Sequence, residues 1–498
     1  MNMKKLLKSL LAITAAFLMV FSLGTAVNAD TSNSLTINNT GNTTHTFELY
    51  QIFTGTYSNG ILSDIQWGSG ISSAGKTALG DAATRAKDAV AGTDSNDAKA
   101  TAFVNRVKLY LTNATTSTSV EAGSSYKFDN LTAGYYLVKD VDNSQKDGIG
   151  AYTSYIVQVV GSVTQDTKLD VPTVVKKVKD TNDSTDETAY WQDSADYDIK
   201  DSVPYQITGT MPSNIDKYTT YKYVFTDTMS KGLTYTANTA TIKIGDTDVT
   251  TSFTETVTSN TDGSTTVTWS CDNLKGIRGV ALNANSTVIV TYNCTLNDKA
   301  VIGSAGNPNT VNLTFSNNPN QGGEGETGKT PDDKNIVFTY KVVVNKFDQD
   351  KKSLAGAAFK LEKKNSDGSY KTVMEYTAGT ETSFGFTGLD DGDYRLTETT
   401  TPAGYNTITP IEFTISAEHD KNSYNPALTK LSGNAASGEI TFTADMSAGS
   451  LTTDVVNEKG SNLPSTGGIG TTIFYVCGGS LVAIAAALLI AKKRASAE

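Results

Sequence analysis

Apolar and polar residues alternate along most of the chain between residues 30 and 460. The alternation is plain in residues 155–159, 288–292 and 341–344, where short runs of Val, Thr and Tyr are separated by Gly, Asn and Asp. Successive residues of a strand point to opposite faces, so this period predicts half-buried β-strands. Short strands separated by turn residues are typical of β-sandwiches. The sequence therefore predicts an all-β protein of immunoglobulin-like sandwiches.

Breaks in this pattern divide the chain into three domains. Residues 74–111 are rich in Ala, Lys and Arg, which predicts helical insertions in the first domain, residues 30–170. Pro172 follows a polar turn and precedes a Val-rich run, so the second domain is expected at 171–330. The polar, Gly-rich run 317–334 is interpreted as a linker or long loop. The third domain is expected at 331–459.

The two ends have different compositions from the middle. Residues 1–29 begin with three lysines and an apolar run and end on the small residue Ala29, as in a secretory signal peptide. Residues 469–491 are uncharged and mostly apolar, and Lys492, Lys493 and Arg494 follow them. This pattern predicts a transmembrane helix with a basic cytoplasmic end.

Composition and charge exclude several classes of function. The chain has 498 residues, enough for about three domains. Without its two ends it keeps 35 basic and 51 acidic residues, a net charge of about −16, which argues against nucleic acid as a partner. His45 and His419 lie 374 positions apart, and no group of His or Cys has metal-ligand spacing. Zinc hydrolysis and Ser-His-Asp catalysis are both poorly supported, so we expect no metal, no cofactor and no enzyme.

A short motif precedes the apolar C-terminal stretch: Leu463, Pro464, Ser465, Thr466 and Gly467. Motif, apolar segment and basic tail, at 460–498, resemble the cell-wall sorting signal of Gram-positive surface proteins. That resemblance implies that a sortase cleaves between Thr466 and Gly467 and that an amine then captures Thr466. Pro464 would bend the peptide into the enzyme groove, and Gly467 would leave the cleaved bond accessible.

In the third domain, three strand patterns direct polar groups into an apolar layer. Glu398 shares the period of Tyr394 and Leu396, and Lys346 and Asn457 follow Val344 and Val455 in the same way. Burial without a partner favours the neutral forms of Lys and Glu, and a neutral amine is a nucleophile. A protonated Glu398 could polarise the Asn457 carbonyl and return a proton as ammonia leaves. The expected product is a Lys346–Asn457 amide.

The same segments resemble those of a known family. Residues 394–405 look like the E-box of sortase-assembled pilins, with Thr401 where Ala is usual. Strands that begin Val-x-Val-x-Lys and end Val-x-Asn look like pilin collagen-adhesin B-type domains, which form intramolecular isopeptide bonds.

The second domain offers a similar set of residues. Lys176 shares the face of Val174 and Val178, whereas Lys177 and Lys179 lie on the other face. Asp227 alternates with apolar residues, and by resemblance to the pilin middle domain an Asp replaces Glu as the catalyst. The partner amide is Asn309 or Asn317, which have the same parity; Asn309 is preferred.

Two further features concern cross-linking. Cys271 and Cys294 end two strand-like runs, so in an exported protein they could form a disulfide, the alternative being two buried thiols. Backbone pilins use a lysine near the junction of the first two domains for polymerisation, in a Tyr-Pro-Lys-like motif that this chain lacks. Lys168 occupies the matching junction and is the candidate, with Lys177 and Lys179 as alternatives.

The resemblance implies a backbone pilin: an exported subunit joined head to tail by sortase and finally attached to peptidoglycan in the cell wall. Expected partners are sortase, neighbouring subunits, peptidoglycan, minor pilins and host surface ligands. The alternative is a monomeric wall-anchored adhesin.

Overall fold

The structure is a computed structural model that describes residues 33–41, 43–58, 61–89, 102–146, 148–167, 171–319, 323, 325–436, 438, 440–459 and 469–495. The predicted signal peptide lies outside these residues. Within them the chain is built almost entirely of antiparallel sheets, arranged as three successive sandwiches. The predicted fold class is confirmed.

The first sandwich packs a three-stranded sheet, in the order β5-β1-β8, against a sheet in the order β3-β2-β6-β7, with β4 paired to β2. Leu35, Phe47 and Val138 are among the buried residues between them. Its strands are β1 Asn33–Asn38, β2 Phe47–Ser58, β3 Ile61–Trp67, β4 Thr115–Thr116, β5 Ser125–Leu131, β6 Gly134–Asp140, β7 Ser154–Val159 and β8 Ser162–Asp166.

Helices interrupt this sandwich where the sequence predicts them. They are α1 Ser73–Leu79, α2 Ala82–Ala89, the helical residues 102–107 and a 3₁₀ turn, Lys108–Tyr110. Their apolar residues form a second cluster around Phe53 and Phe103, whose rings stack with centroids 5.7 Å apart. The helical insertion therefore has its own small core on the outer face of the β2 sheet.

The middle sandwich has one sheet in the order β12-β23-β21-β14-β19-β18, with β22 paired to β21, and another in the order β17-β16-β20-β13-β9, with β15 paired to β20. Its core contains Tyr205, Phe225 and Trp269. Its strands are β9 Val174–Val178, β10 Thr181–Asn182, β11 Glu187–Thr188, β12 Ser194–Asp196, β13 Ser202–Thr210, β14 Tyr223–Met229, β15 Leu233–Tyr235, β16 Thr241–Ile244, β17 Thr247–Asp248, β18 Thr254–Ser259, β19 Thr265–Cys271, β20 Thr287–Leu296, β21 Asn307–Ser316, β22 Thr327–Lys329 and β23 Asp333–Phe338. Short 3₁₀ turns lie at Ile215–Lys217, Thr250–Ser252 and Leu274–Gly276.

The third sandwich packs sheet β27-β24-β32-β31 against sheet β26-β25-β28-β29-β30. Val344, Phe359 and Leu396 lie in its core. Its strands are β24 Tyr340–Asp348, β25 Ala358–Lys364, β26 Tyr370–Glu375, β27 Ser383–Leu389, β28 Gly392–Thr400, β29 Ile411–His419, β30 Leu428–Ala435, β31 Thr443–Asp445 and β32 Ser450–Asn457.

The polar run 317–334 is a long loop of the middle sandwich rather than a free linker. Asn317 and Asn318 are fully buried. β22 pairs with β21, and the Lys329 amide donates to the Gly148 carbonyl of the first sandwich at 2.9 Å. Its polar composition resembles that of a linker, but its backbone groups form hydrogen bonds with the first and middle sandwiches.

The C-terminal helix α3, Ile469–Ala495, covers the predicted apolar stretch. Among the helices that the structure describes, none has both the length and the hydropathy of a membrane span. The predicted helix is confirmed, and its role as a transmembrane segment stays a prediction.

Candidate functional site

Lys346, Asn457 and Glu398 of the third sandwich come together at one end of its core. β24 and β32, its first and last strands, pair in parallel, with Lys346 opposite Val455 and Asp348 opposite Asn457. Glu398 enters from β28 of the facing sheet. All three residues are buried: Lys346 is 0% exposed, Asn457 1% and Glu398 5%. The predicted convergence of these residues is therefore present.

Glu398 holds the Asn457 amide, and two backbone carbonyls hold the Lys346 amine. The Asn457 Nδ2 donates to both carboxylate oxygens of Glu398, at 3.0 and 3.1 Å. The Lys346 Nζ donates to the carbonyls of Phe347 and Val455, at 3.1 and 3.2 Å. Among the described residues, the Asn457 Oδ1 has no hydrogen-bond partner. Within the described part of the chain, the Asn457 carbonyl oxygen is thus unpaired, and its nitrogen is hydrogen-bonded to a carboxyl group. This arrangement suits a reaction in which an amine replaces that nitrogen.

Electrostatics favour the same chemistry. Burial lowers the pKa of Lys346 to about 8, although Glu398 acts in the opposite direction. A larger fraction of this amine is therefore neutral near pH 7 than for an exposed lysine. The sequence placed Glu398 against the carbonyl of Asn457, whereas here it faces the nitrogen. In this position Glu398 would deliver a proton to the leaving ammonia rather than polarise the carbonyl.

Lys176 and Asp227 form a fully buried ion pair in the middle sandwich. The Lys176 Nζ lies 2.6 Å from the Asp227 Oδ1, and neither side chain is exposed to solvent. Lys176 comes from β9 of one sheet and Asp227 from β14 of the other. Burial lowers the pKa of Lys176, against the raising effect of Asp227. The choice of Lys176 over its neighbours thus identifies a lysine inside the core.

Asn309, rather than Asn317, completes this set. The Asn309 Nδ2 donates at 3.0 Å to the Tyr292 hydroxyl, which in turn accepts from the Lys176 Nζ at 2.5 Å. The Asn309 Oδ1 is buried without a hydrogen-bond partner among the described residues. The Asn317 Nδ2 instead donates to the Gln145 carbonyl of the first sandwich, at 2.7 Å. Asn317 therefore belongs to the contact between the first two sandwiches.

Tyr292 is the member of this set that the sequence did not identify. Its hydroxyl also donates to the Asp227 Oδ2, so it contacts the lysine, the acid and the amide. The Lys176 Nζ lies 4.9 Å from the Tyr205 ring centroid and 5.1 Å from that of Tyr292. In the sequence Tyr292 shares the inward parity of Val288 and Val290, which is typical of an ordinary core position. A tyrosine at such a position buries a hydroxyl that needs a polar partner, and this is the signal that could have identified it.

The expected Cys271–Cys294 disulfide is wrong, because both cysteines are buried free thiols. Cys271 pairs with Tyr223 at one end of β14. The Cys294 Sγ contacts the Met229 Sδ, at 3.4 Å, at the other end. Six residues of strand separate these ends, about 20 Å, far beyond the reach of a disulfide.

The remaining candidate residues fall in two groups. Lys168 and the motif Leu463, Pro464, Ser465, Thr466 and Gly467 lie outside the described residues. Lys177 and Lys179 are half-buried. The Lys177 Nζ pairs with the Asp193 Oδ1 at 2.5 Å, and the Lys179 Nζ lies 5.0 Å from the Trp191 ring centroid.

Three family models match successive parts of the chain. A Gram-positive pilin backbone subunit 2, Cna-B-like domain matches residues 199–319, a prealbumin-like fold domain matches 340–427, and an LPXTG cell wall anchor motif matches 455–498. The first of these matches lies in the second sandwich, the second in the third sandwich, and the third covers the C-terminal segment.

The chain is also similar to individual proteins. The trypsin-resistant surface T6 protein of Streptococcus pyogenes is 25% identical over 400 residues, which cover 66% of this chain and 70% of that protein. The structure of the T6 backbone pilin of the same species superposes with a TM-score of 0.53 and 16% identity, over 88% of this chain and all of that one. The major pilin SpaD of Corynebacterium diphtheriae superposes with a TM-score of 0.49 and 18% identity, over 87% of this chain and 99% of that one.

Together, the buried lysine sites and these matches define the class: the chain is a sortase-assembled backbone pilin of Gram-positive bacteria. It is a structural subunit of a surface pilus attached to the cell wall through its LPXTG anchor. The expected class and localisation are confirmed.

Proposed function

We propose that this subunit stiffens itself with two intramolecular isopeptide bonds, Lys346–Asn457 and Lys176–Asn309. The observation that carries the proposal is that the second and third sandwiches each bury one lysine, one acid and one asparagine in the same part of the core. Asn457 donates to Glu398, Lys176 pairs with Asp227, and the Tyr292 hydroxyl joins Asn309 to Lys176. In each reaction the neutral amine attacks the Asn Cγ, the Cγ–Nδ2 bond breaks, and ammonia leaves. Glu398 and Asp227 take the proton from the amine and deliver it to the leaving nitrogen.

The mass of the chain and of its tryptic peptides tests these bonds. Each condensation removes one ammonia, about 17 Da, so two bonds remove about 34 Da. Trypsin should release residues 342–351 linked to 431–459, and residues 169–177 linked to 300–329. Glu398→Ala should separate only the first pair, and Asp227→Ala only the second. Without the bonds, trypsin would also cleave after Lys346 and Lys176, and recovery of these shorter peptides together with free 431–459 and 300–329 from the unaltered protein would refute the proposal.

Matched controls separate the chemistry from general damage. Glu412 is exposed on β29, next to the strand of Glu398, and Asp272 is an exposed residue of the middle sandwich. Glu412→Ala and Asp272→Ala should leave both linked pairs intact.

For assembly, we propose that sortase cleaves after Thr466 and that Lys168 of the next subunit captures the acyl group. The terminal subunit would be transferred to peptidoglycan, and minor pilins and host surfaces would be its further partners. Two observations support Lys168 over its alternatives: Lys177 is paired with Asp193, and Lys179 lies on Trp191. An amine already held in such contacts must give them up before it can attack.

Cell-wall extracts on a denaturing gel test this assembly. A ladder of covalent multimers should collapse to a single band in Lys168→Ala and Thr466→Ala. Lys127→Ala, which removes an exposed lysine paired only with Asp129, should leave the ladder unchanged. A single band from the unaltered protein would favour the monomeric adhesin, and collapse in Lys177→Ala or Lys179→Ala would move the acceptor to that residue.

We propose domain limits that differ slightly from those expected. Strand β23, Asp333–Phe338, pairs with β21 and β12 of the middle sandwich, so that domain extends through Phe338 rather than ending at 330. The third domain would then begin with β24. The expected limits at 29, 170 and 459 are kept.

A further inference from the structure

A hydroxyl, an imidazole and a carboxylate are aligned inside the first sandwich, where no lysine, acid and asparagine meet among the described residues. The His45 Nδ1 lies 2.8 Å from the Asp140 Oδ1, and the His45 Nε2 lies 3.2 Å from the Thr43 Oγ1. His45 and Asp140 are both fully buried. An imidazole that donates through Nδ1 to a carboxylate presents its Nε2 as a base, here towards a hydroxyl.

A carboxamide faces the same hydroxyl. The Thr43 Oγ1 lies 3.0 Å from the Gln145 Oε1, which is bonded directly to the side-chain carbonyl carbon. The Gln145 Nε2 donates to the Thr44 carbonyl at 2.7 Å, so the amide plane is held from its other end. Gln145 is only 4% exposed. A nucleophile, a base, an orienting acid and an electrophile thus lie in a single chain of contacts.

The surrounding residues leave little freedom to this group. Asp140 accepts a second hydrogen bond, from the Thr153 amide at 2.6 Å, and the His45 ring stacks on Phe47 with centroids 5.7 Å apart. A Cβ added at Gly150 would lie 2.6 Å from both the Thr43 Oγ1 and the Gln145 Oε1. The glycine backbone therefore closes the site over the two oxygens, and a larger residue would displace them.

We propose that Thr43 and Gln145 form an intramolecular ester bond. The Thr43 Oγ1 attacks the Gln145 Cδ while His45 takes the hydroxyl proton; the Cδ–Nε2 bond then breaks, and His45 gives the proton to the nitrogen, which leaves as ammonia. Asp140 orients His45 and stabilises its charged form. No other reactant is consumed, and the product joins two positions 102 residues apart.

The position of this bond gives it a structural role. Gln145 is held through its backbone carbonyl by the Asn317 Nδ2 of the middle sandwich, at 2.7 Å, and the Tyr152 amide donates to the Asn317 carbonyl at 2.9 Å. Thr43 lies between β1 and β2. The ester would thus tie the beginning of the first sandwich to the loop that contacts the second.

Peptide mass mapping of the mature protein tests the ester. Trypsin should yield residues 30–76 linked to residues 140–146, with a loss of about 17 Da against their sum. Hydroxylamine near neutral pH cleaves esters but leaves isopeptide amides intact, so it should separate this pair and leave Gln145 as a hydroxamate. The isopeptide-linked peptides in the same digest would stay joined, which makes failure of the ester distinguishable from failure of the amides.

Variants assign the roles. Thr43→Val and Gln145→Leu should abolish the linked peptide, Thr43→Ser should retain it, and His45→Ala should slow its formation by about 100-fold or more. Thr44→Val is the control, because the Thr44 hydroxyl contacts only the exposed Glu121 while its carbonyl still holds Gln145. Recovery of residues 30–76 and 140–146 as separate, unmodified peptides from the unaltered protein would overturn the proposal. So would a linked pair that survives hydroxylamine.

Discussion

At the scale of single residues, several buried polar side chains of this protein lie beside groups with which they could react. Lys176, Lys346 and His45 are each 0% exposed. Burying a charged or polar group is unfavourable unless it is paired, so each of these residues requires partners of matching geometry. If the proposed bonds form, reaction converts a buried lysine and a buried amide into one neutral amide, which removes the cost of an ionised amine.

Tyr292→Phe should slow cross-linking of the middle sandwich. The variant keeps the ring that packs on Trp269 but removes the hydroxyl that contacts Lys176, Asp227 and Asn309. A hydrogen bond to a charged group contributes about 1.5–3 kcal/mol, so the rate should fall by roughly 10- to 100-fold. The loss of about 17 Da, followed over time by intact mass, measures it.

Tyr235→Phe is the matched control for this substitution. The Tyr235 ring packs edge-on against Tyr292 with centroids 5.6 Å apart, but its hydroxyl donates to Glu255, away from the lysine. Equal rates for both variants and the unaltered chain would reduce Tyr292 to a packing residue.

At the scale of elements, first and last strands lie side by side. In the first sandwich β1 pairs in parallel with β8, and in the third β24 pairs in parallel with β32. In the middle sandwich the Lys176 amide donates to the Asp333 Oδ2 at 2.6 Å, which joins β9 to β23. Tension applied to the two ends of such a domain shears these neighbouring strands. In the third sandwich the proposed Lys346–Asn457 bond would join β24 to β32 and let the load pass without separating the sheet.

Loss of the Lys346–Asn457 bond should lower the melting temperature of the third sandwich. The bond would close a loop of 111 positions, and by analogy with disulfide loop entropy it would contribute about 4–5 kcal/mol. Glu398→Ala should therefore lower that transition by roughly 10–25 °C in calorimetry. Glu412→Ala, on the neighbouring strand, should change it by less than about 0.5 kcal/mol. An unlinked mass with an unchanged transition would contradict this account.

Strand period accounts for which parts of the sites the sequence could predict. A side chain at an inward position must reach the core, so local parity predicts the buried positions of Lys346, Glu398, Lys176 and Asp227, while their roles came from the resemblance to pilins. Cys271 and Cys294 also lie at inward positions, but whether two such residues meet depends on register and sheet order. Those are set by pairings between distant strands, which local sequence does not specify.

The first-sandwich group shows the same limit more strongly. Its residues lie on strand ends and in loops, and Thr43 is 102 positions from Gln145. Outside strands, the alternation of apolar and polar residues gives no information about where Thr43 and Gln145 point. The scarcity of histidine argued against a catalytic triad, although a triad needs only one histidine. Only the paired fold brings the four side chains within hydrogen-bonding distance.

At the scale of the whole molecule, the junction between the second and third sandwiches is held by buried charges. The Lys363 Nζ lies 2.8 Å from the Asp198 Oδ2 across the junction and 3.1 Å from the Asp390 Oδ2. The His419 ring contacts the Ser194 Oγ at 2.7 Å and lies 3.5 Å from both Asp180 and Asp196. A junction of this kind should respond to pH.

The second and third sandwiches should loosen from each other as pH rises from about 6.5 to about 9. Burial alone would lower the pKa of His419, but its interactions with the carboxylates of Asp180 and Asp196 outweigh it and raise the pKa to about 9. The stabilisation from the charged imidazole is therefore complete below the ordinary pKa of about 6.5 and is lost as pH rises through 9, about 3 kcal/mol in all. Burial, together with the charge of Asp196, raises the pKa of Asp391 to about 7. This raised acid acts in the same direction, because its ionisation above pH 7 adds negative charge to an acidic junction.

Hydrogen exchange of the backbone amides in residues 194–198 and 388–392, corrected for the intrinsic effect of pH, measures this loosening. Protection should fall between pH 6.5 and 9 in the unaltered chain. In His419→Gln it should already be low at pH 6.5 and change less with pH, since the titrating imidazole is gone. Lys430→Gln removes an exposed pair with Glu418 on the same sheet and should keep the full pH response. Protection that stays constant across this range would show that covalent and apolar contacts, rather than the His419 charge, hold the two sandwiches together.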